Sequence, residues 1–230
     1  MTGLDLDLRQ AAESGARRIV AGPLAAGSAP APGAVVGLLV GDERAVATAG
    51  TADPATGEPM AADLRFDLAS VSKALGTTTA LAALVGAGVL AFDTPVAALV
   101  PSFPGHLGTT VRHLLLHRAG LPSWQPLYLA PGARVDPYPA LDSLGPDAPL
   151  DTARCYSDLG FLHLGRVVAS AAGAPLEQAV RDLALTPLGI PDAGYRPRGT
   201  ALSGASGTAP SARGDDVERR MVATGDPYPV

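Results

Sequence analysis

The sequence predicts an α/β chain of the α+β kind, a mostly helical lobe joined to a small antiparallel sheet. Three observations lead there. Two β-type runs, AVVGLLV (34–40) and RAVATAG (44–50), flank Gly41-Asp42-Glu43 and read as a hairpin. A long apolar segment, FDLASVSKALGTTTALAALVGAGVL (66–90), has the length of a helix and too many apolar positions for a surface one. Two more helical patterns, 158–172 and 175–186, are separated by Gly173 and Pro175.

The remaining elements follow in chain order. Leu6, Leu8, Ala12, Ala16, Ile19 and Val20 recur among charges and predict an amphipathic helix over 5–21, followed by the linker GPLAAGSAPAPG. TVRHLLLHRAGLP (110–122) predicts a short helix stopped by Gly120 and Pro122. Residues 123–150 carry six prolines, a density that predicts a rigid surface loop without regular structure. The segment beyond residue 200 is rich in Gly, Ser and Ala and predicts a flexible tail. One domain spanning 1–230 is therefore expected, with the first helix and hairpin in 1–65, the helical lobe in 66–200 and the tail in 201–230. Two strands alone make a marginal sheet, so helices must cover the hairpin or further strands must lie elsewhere.

Composition narrows the function. With 47% hydrophobic and 17% charged residues among 230, the chain is globular and not disordered. A net charge of −5 argues against nucleic acid and against an anionic membrane surface. The single cysteine, Cys155, excludes an internal disulfide and is expected to pack. The first twenty residues lack the apolar stretch of a secretory signal, which makes the cytoplasm the expected location. No cofactor is implied, and oligomeric state is not legible.

Lys73 is the only lysine; every other member of the 17 Lys and Arg residues is arginine. It stands three residues after Ser70, one helical turn, which puts both side chains on one face. Ser70 falls where the helix should begin, among free backbone N–H groups able to hold an oxyanion. A lysine sheltered among leucines loses its proton more readily, so a neutral Lys73 amine is expected to take the Ser70 proton. Arginine cannot do this. The competing readings are an N-cap for Ser70 and a snorkelling surface residue for Lys73. His113 and His117, four apart, have the spacing of a zinc pair but no third ligand, so no metal is expected. His163 is expected in the core or at a rim, and Ser72 points elsewhere on the helix.

FDLASVSK, GVLAFDTPVAALVP, TVRHLLLHRAGLP and YSDLGFLHLGRVV together resemble the serine β-lactamase-related superfamily. The similarity is to the branch of class C β-lactamases, D-alanyl-D-alanine carboxypeptidases and esterases, and covers roughly 30–195. The resemblance implies a β-lactamase/transpeptidase-like fold with Ser70 as acylated nucleophile, Lys73 as proton acceptor and Tyr156 sharing the proton transfer. It implies a small ester or amide substrate, with Asp158 as a candidate substrate-binding residue. Trp124 and Tyr128, on the proline-rich loop 123–150 next to the site, are candidates for the substrate rim; the competing reading for both is surface packing. Asp158 replaces the family's asparagine; a carboxylate there cannot donate a hydrogen bond and favours a charged Lys73, so β-lactam hydrolysis is expected to be weak or absent. The family's third motif, Lys-Thr-Gly or His-x-Gly, is not found, and a C-terminally incomplete domain is expected. The alternative is a non-catalytic acyl-binding or sensor module of the same fold.

Overall fold

The computed structural model describes residues 7–22, 30–132 and 136–195, and the expected tail over 201–230 lies outside them. These residues form two compact units, one ending at Asp67 and the other beginning at Leu68. In the first unit, helix α1 (Leu8–Ala21) starts at Asp7, whose carboxylate accepts a hydrogen bond from the Gln10 N–H at 3.0 Å. Its buried stripe of Leu8, Ala12 and Ala16 packs on strands β1 (Gly33–Val40) and β2 (Glu43–Asp53).

The hairpin registers Val40 against Glu43 and Gly33 against Gly50, leaving Gly41 and Asp42 as a two-residue turn. Gly41 has φ 60, the left-handed first position such a turn requires. A two-residue β3 (Glu58–Pro59) pairs with the end of β2, giving the order β1-β2-β3. The expected hairpin thus forms, and its second strand runs three residues further than its apolar pattern suggested.

In the second unit the long apolar segment departs from expectation. Its regular part, α2 (Thr79–Gly86), is preceded by a wider π-type stretch over Lys73–Thr78, and the segment is not buried all round. Leu81 and Ala80 are fully enclosed, whereas Val71 and Ala82 are exposed. The Thr79 hydroxyl donates to the Ala74 carbonyl, five residues back, where the widened turn leaves that oxygen reachable. Around α2 the core is closed by Val96 of α3 (Val96–Leu99), Val111 and Leu114 of α4 (Val111–Leu115), and Leu121.

The proline-rich segment is mostly irregular, but it includes α5 (Tyr138–Asp142), which the proline count did not predict. Pro139 sits in the first turn of that helix, where its missing N–H would have had no intrahelical partner anyway. Gly120 ties the base of this loop: its carbonyl accepts from the Asp147 and Ala148 N–H groups, its φ is 72, and an added Cβ would lie 2.0 Å from the Ala148 oxygen. His106 Nε2 also meets that oxygen, at 2.7 Å.

Helix α6 (Asp158–Ala172) is the spine of the unit. Ser157 caps it by accepting from the Gly160 N–H, and Gly173 ends it in the left-handed conformation at φ 63. Leu159, His163, Leu164, Val167 and Val168 turn inward at helical spacing. After Pro175, α7 (Leu176–Val180) runs into a second π-type turn, Arg181–Leu185. No described helix is long and apolar enough to cross a membrane.

Candidate active site

Ser70 stands at an abrupt entry to its helix. Ala69 before it has φ 42, a left-handed conformation unusual for alanine. The N–H groups of Val71, Ser72 and Lys73 bond the carbonyls three residues back, at 2.8, 3.1 and 3.1 Å. Those donors are therefore spent, contrary to the expectation of several free N–H groups, and this turn can offer an oxyanion at most the Ser70 N–H. The one-turn spacing does bring the pair together: Lys73 Nζ donates to Ser70 Oγ at 3.1 Å.

Tyr156 and Asp158 reach the same place from the start of α6. Tyr156 Oη donates to Ser70 Oγ at 2.9 Å, and Asp158 Oδ1 pairs with Lys73 Nζ at 2.5 Å. Four hydrogen bonds donated to the segment after α4 fix this turn. The Cys155 N–H donates to the His117 carbonyl at 2.9 Å, and the Ser157 N–H to His117 Nδ1 at 3.0 Å. Ser157 Oγ donates to the Pro122 carbonyl at 2.6 Å, and the Asp158 N–H to that of Ser123 at 2.8 Å. The His117 ring also stacks on Tyr156, tilted, with centroids 4.5 Å apart.

His117 is structural and near the helix end, as the resemblance implies, and the folded chain adds what it supports. It lies beyond the end of α4 with φ 58, so it does not share a helix face with His113. Its Nδ1 is committed to Ser157, and His113 Nδ1 accepts from the Thr110 N–H at 3.0 Å to cap α4. The zinc-like spacing is a pair of backbone supports. Burial, and then the charges of Arg154 and Lys73, hold the His117 pKa below its usual 6.5 and keep the ring an acceptor.

The expected neutral amine is corrected. Burial does pull the Lys73 pKa down, but hydrogen bonds from its ammonium to Asp158 and Tyr156, with their charges, outweigh it and leave the pKa above the usual 10.5. The lysine side chain is only 19% exposed, yet it is sheltered beside a carboxylate and not in an apolar pocket. The same contact works in the opposite direction on the phenol: the hydrogen bonds that Lys73, and then Ser70, can give its anion lower the Tyr156 pKa from 10.0. At a pH where one of the two groups is ionised as a base, it is the tyrosine that can accept a proton.

Trp124 is half-buried on the loop next to Ser123, whose carbonyl holds the Asp158 N–H; the Tyr128 side chain lies outside the described residues. Ser72 faces away from Ser70 into an apolar hollow shared with Leu75, Val180, Leu185 and Tyr195. Cys155 is exposed, not packed. His163 is fully buried in the core, edge-on to Phe103.

Comparison with known proteins gives this geometry a setting. The family described as Beta-lactamase matches residues 16–227. Esterase EstB of Burkholderia gladioli is 35% identical over 167 residues, 64% of this chain and 42% of the esterase. Penicillin-binding protein 4 of Amycolatopsis lactamdurans is 34% identical over 169 residues, 69% of this chain and 43% of that protein. The chain thus spans less than half the length of these relatives. The crystal structure of a penicillin binding protein from Bacillus halodurans superposes with a TM-score of 0.63 at 26% identity, over 75% of this chain and 56% of that one.

Proposed function

The chain belongs to the beta-lactamase family and has its β-lactamase/transpeptidase fold, and from that premise we propose a serine hydrolase that cleaves a small ester or amide through a Ser70 acyl-enzyme. The observation that carries the reading is the position of Ser70 Oγ, within hydrogen-bond distance of both Lys73 Nζ and Tyr156 Oη. In the working form Tyr156 is a phenolate and Lys73 an ammonium, the arrangement the two opposed pKa shifts favour.

Ser70 Oγ attacks the substrate carbonyl carbon while its proton passes to the phenolate. The tetrahedral intermediate collapses, the bond to the leaving group breaks, and Tyr156 gives that proton to the departing oxygen or nitrogen. Water then attacks the acyl carbon and loses a proton to Tyr156; the Ser70 oxygen leaves and takes the proton back. Lys73 stays charged, holding Ser70 Oγ and the phenol in line and stabilising the negative charge that develops between them. The lysine and tyrosine titrate as a coupled pair. Asp158, as an acceptor, gives no hydrogen bond to an acylamino carbonyl, and β-lactams are accordingly poor substrates.

The test is incubation with p-nitrophenyl acetate and with a labelled penicillin, followed by intact mass and nitrophenolate release. An acetyl adduct that turns over and is lost in Ser70→Ala is the expected result. A stable adduct without turnover would replace the hydrolase with an acyl-binding sensor, and no adduct on Ser70 would remove the nucleophile.

A further inference from the structure

We propose that Asp158 makes the acyl side of this site selective for substrates bearing a cationic amine beside the scissile carbonyl, that is, amino-acyl esters or amides with a free ammonium group. The inference rests on the reading of Ser70 as nucleophile. Its own footing is the disposition of the two oxygens of one carboxylate.

Asp158 Oδ1 is paired with Lys73 Nζ at 2.5 Å and is shielded from solvent. The side chain as a whole is nevertheless 40% exposed, so its solvent-facing surface lies on the Oδ2 side. Lys73 Nζ reaches Ser70 Oγ at 3.1 Å and meets the carboxylate at Oδ1. That leaves Oδ2 as the oxygen open to a further donor. The Asp158 backbone N–H is spent on the Ser123 carbonyl. An acyl carbon bound to Ser70 Oγ sits about two hydrogen bonds from this carboxylate, close enough for a substituent on the next atom to reach it.

Three kinds of substituent fare differently there. An ammonium donates to Oδ2 in a charge-assisted bond. A neutral acylamino group has one N–H without charge assistance, and its carbonyl meets the carboxylate as a second acceptor, so it gains less. A carboxylate is repelled. The working state sharpens the choice: phenolate, ammonium and carboxylate together carry one net negative charge. A cationic acyl group balances it.

The experiment compares three p-nitrophenyl esters: that of alanine with its amine free, that of N-acetylalanine, and the mono-ester of succinic acid. Initial acylation is followed by nitrophenolate release at about pH 6, below the usual α-amino range. Release by the Ser70→Ala protein is subtracted. The free-amine ester is expected to react about tenfold faster than the N-acetyl ester, the size of one partly exposed charge-assisted hydrogen bond, with the succinyl ester slowest. In Asp158→Asn that ratio falls towards one, and any common change in the nucleophile cancels within it. A wild-type ratio at or below one, or a preference that persists in the asparagine variant, overturns the proposal. p-Nitrophenyl acetate separates the two levels: a normal Ser70 adduct with no amine preference sinks the selectivity alone, whereas no adduct sinks the nucleophile and the selectivity with it.

Discussion

Replacing His163 by leucine is expected to stabilise the protein, and by an amount that grows in acid. The ring is fully buried, and neither nitrogen has a hydrogen-bond partner among the described residues. A buried polar group without a partner costs about 1–3 kcal/mol, and leucine fills a similar volume without that cost. At neutral pH His163→Leu should therefore gain about 2 kcal/mol, several degrees in Tm for a protein of this size. Burial first, then the charge of Arg166, lower the ring's pKa from 6.5 to about 4, with Asp142 opposing. Because the native state resists the proton, the unfolded chain binds more protons between those values and stability rises with pH there. The penalty is absent above about pH 6.5, grows as pH falls, and is complete below about pH 4, where the shift corresponds to roughly 3 kcal/mol. The assay is urea unfolding followed by circular dichroism at pH 7 and near pH 4.5, wild type against variant. The gap should widen by about 2.5 kcal/mol between the two conditions. A destabilised variant, or a gap that does not change with pH, would refute the reasoning and mean that a ring nitrogen is satisfied in solution.

Other outcomes follow from the same contacts. Tyr156→Phe keeps the ring against His117 and Lys73 but removes the proton carrier, so acylation should fall by about a hundredfold or more while Tm stays close to wild type. His117→Asn should fold and keep most activity, since asparagine accepts from an N–H and tolerates φ 58; His117→Val should lose about 3 kcal/mol in a denaturation series, from the left-handed backbone and the orphaned Ser157 N–H. Gly120→Ala should be more damaging than a typical surface change, lowering Tm clearly, because its Cβ would strike the Ala148 oxygen at a left-handed position. The acylation rate should rise through an apparent pKa of the Lys73–Tyr156 pair below the usual 10.0 and fall through one above the usual 10.5; a rate with no rising limb would count against a base within this pair.

What the sequence discloses here is what short-range geometry decides. Ser70 and Lys73 meet because three residues make one turn, the limits of α6 follow from Ser157 and Gly173, and Gly41 permits the hairpin. What it conceals depends on residues far apart in the chain. The protonation of Lys73 is set by Asp158, which only the folded chain brings alongside, and a lysine among leucines gives no sign of that neighbour. A structural His117 near the helix end is what the resemblance implies, but its bond to Ser157 was not legible, because helical spacing with His113 presumes a helix that in fact stops at Leu115. In the proline-rich stretch, counting prolines missed that Pro139 occupies a position where helices accept it. The substitution of aspartate for asparagine at 158 was plain from the resemblance, and so was its pull on lysine; the whereabouts of its second oxygen was not.

The site therefore turns on one carboxylate more than on the lysine that first marks it. With a neutral amide at 158, burial of Lys73 would be opposed only by the tyrosine, and the proton could reside on either partner. With Asp158 at 2.5 Å the ammonium is secured, and an ammonium beside a phenol in turn makes the phenolate the more accessible base. On the proposed reading, position 158 bears on two properties at once: which group would receive the Ser70 proton, and what charge an incoming acyl group would meet. Exchanging this one residue should then move both while Ser70 and Lys73 stay unchanged.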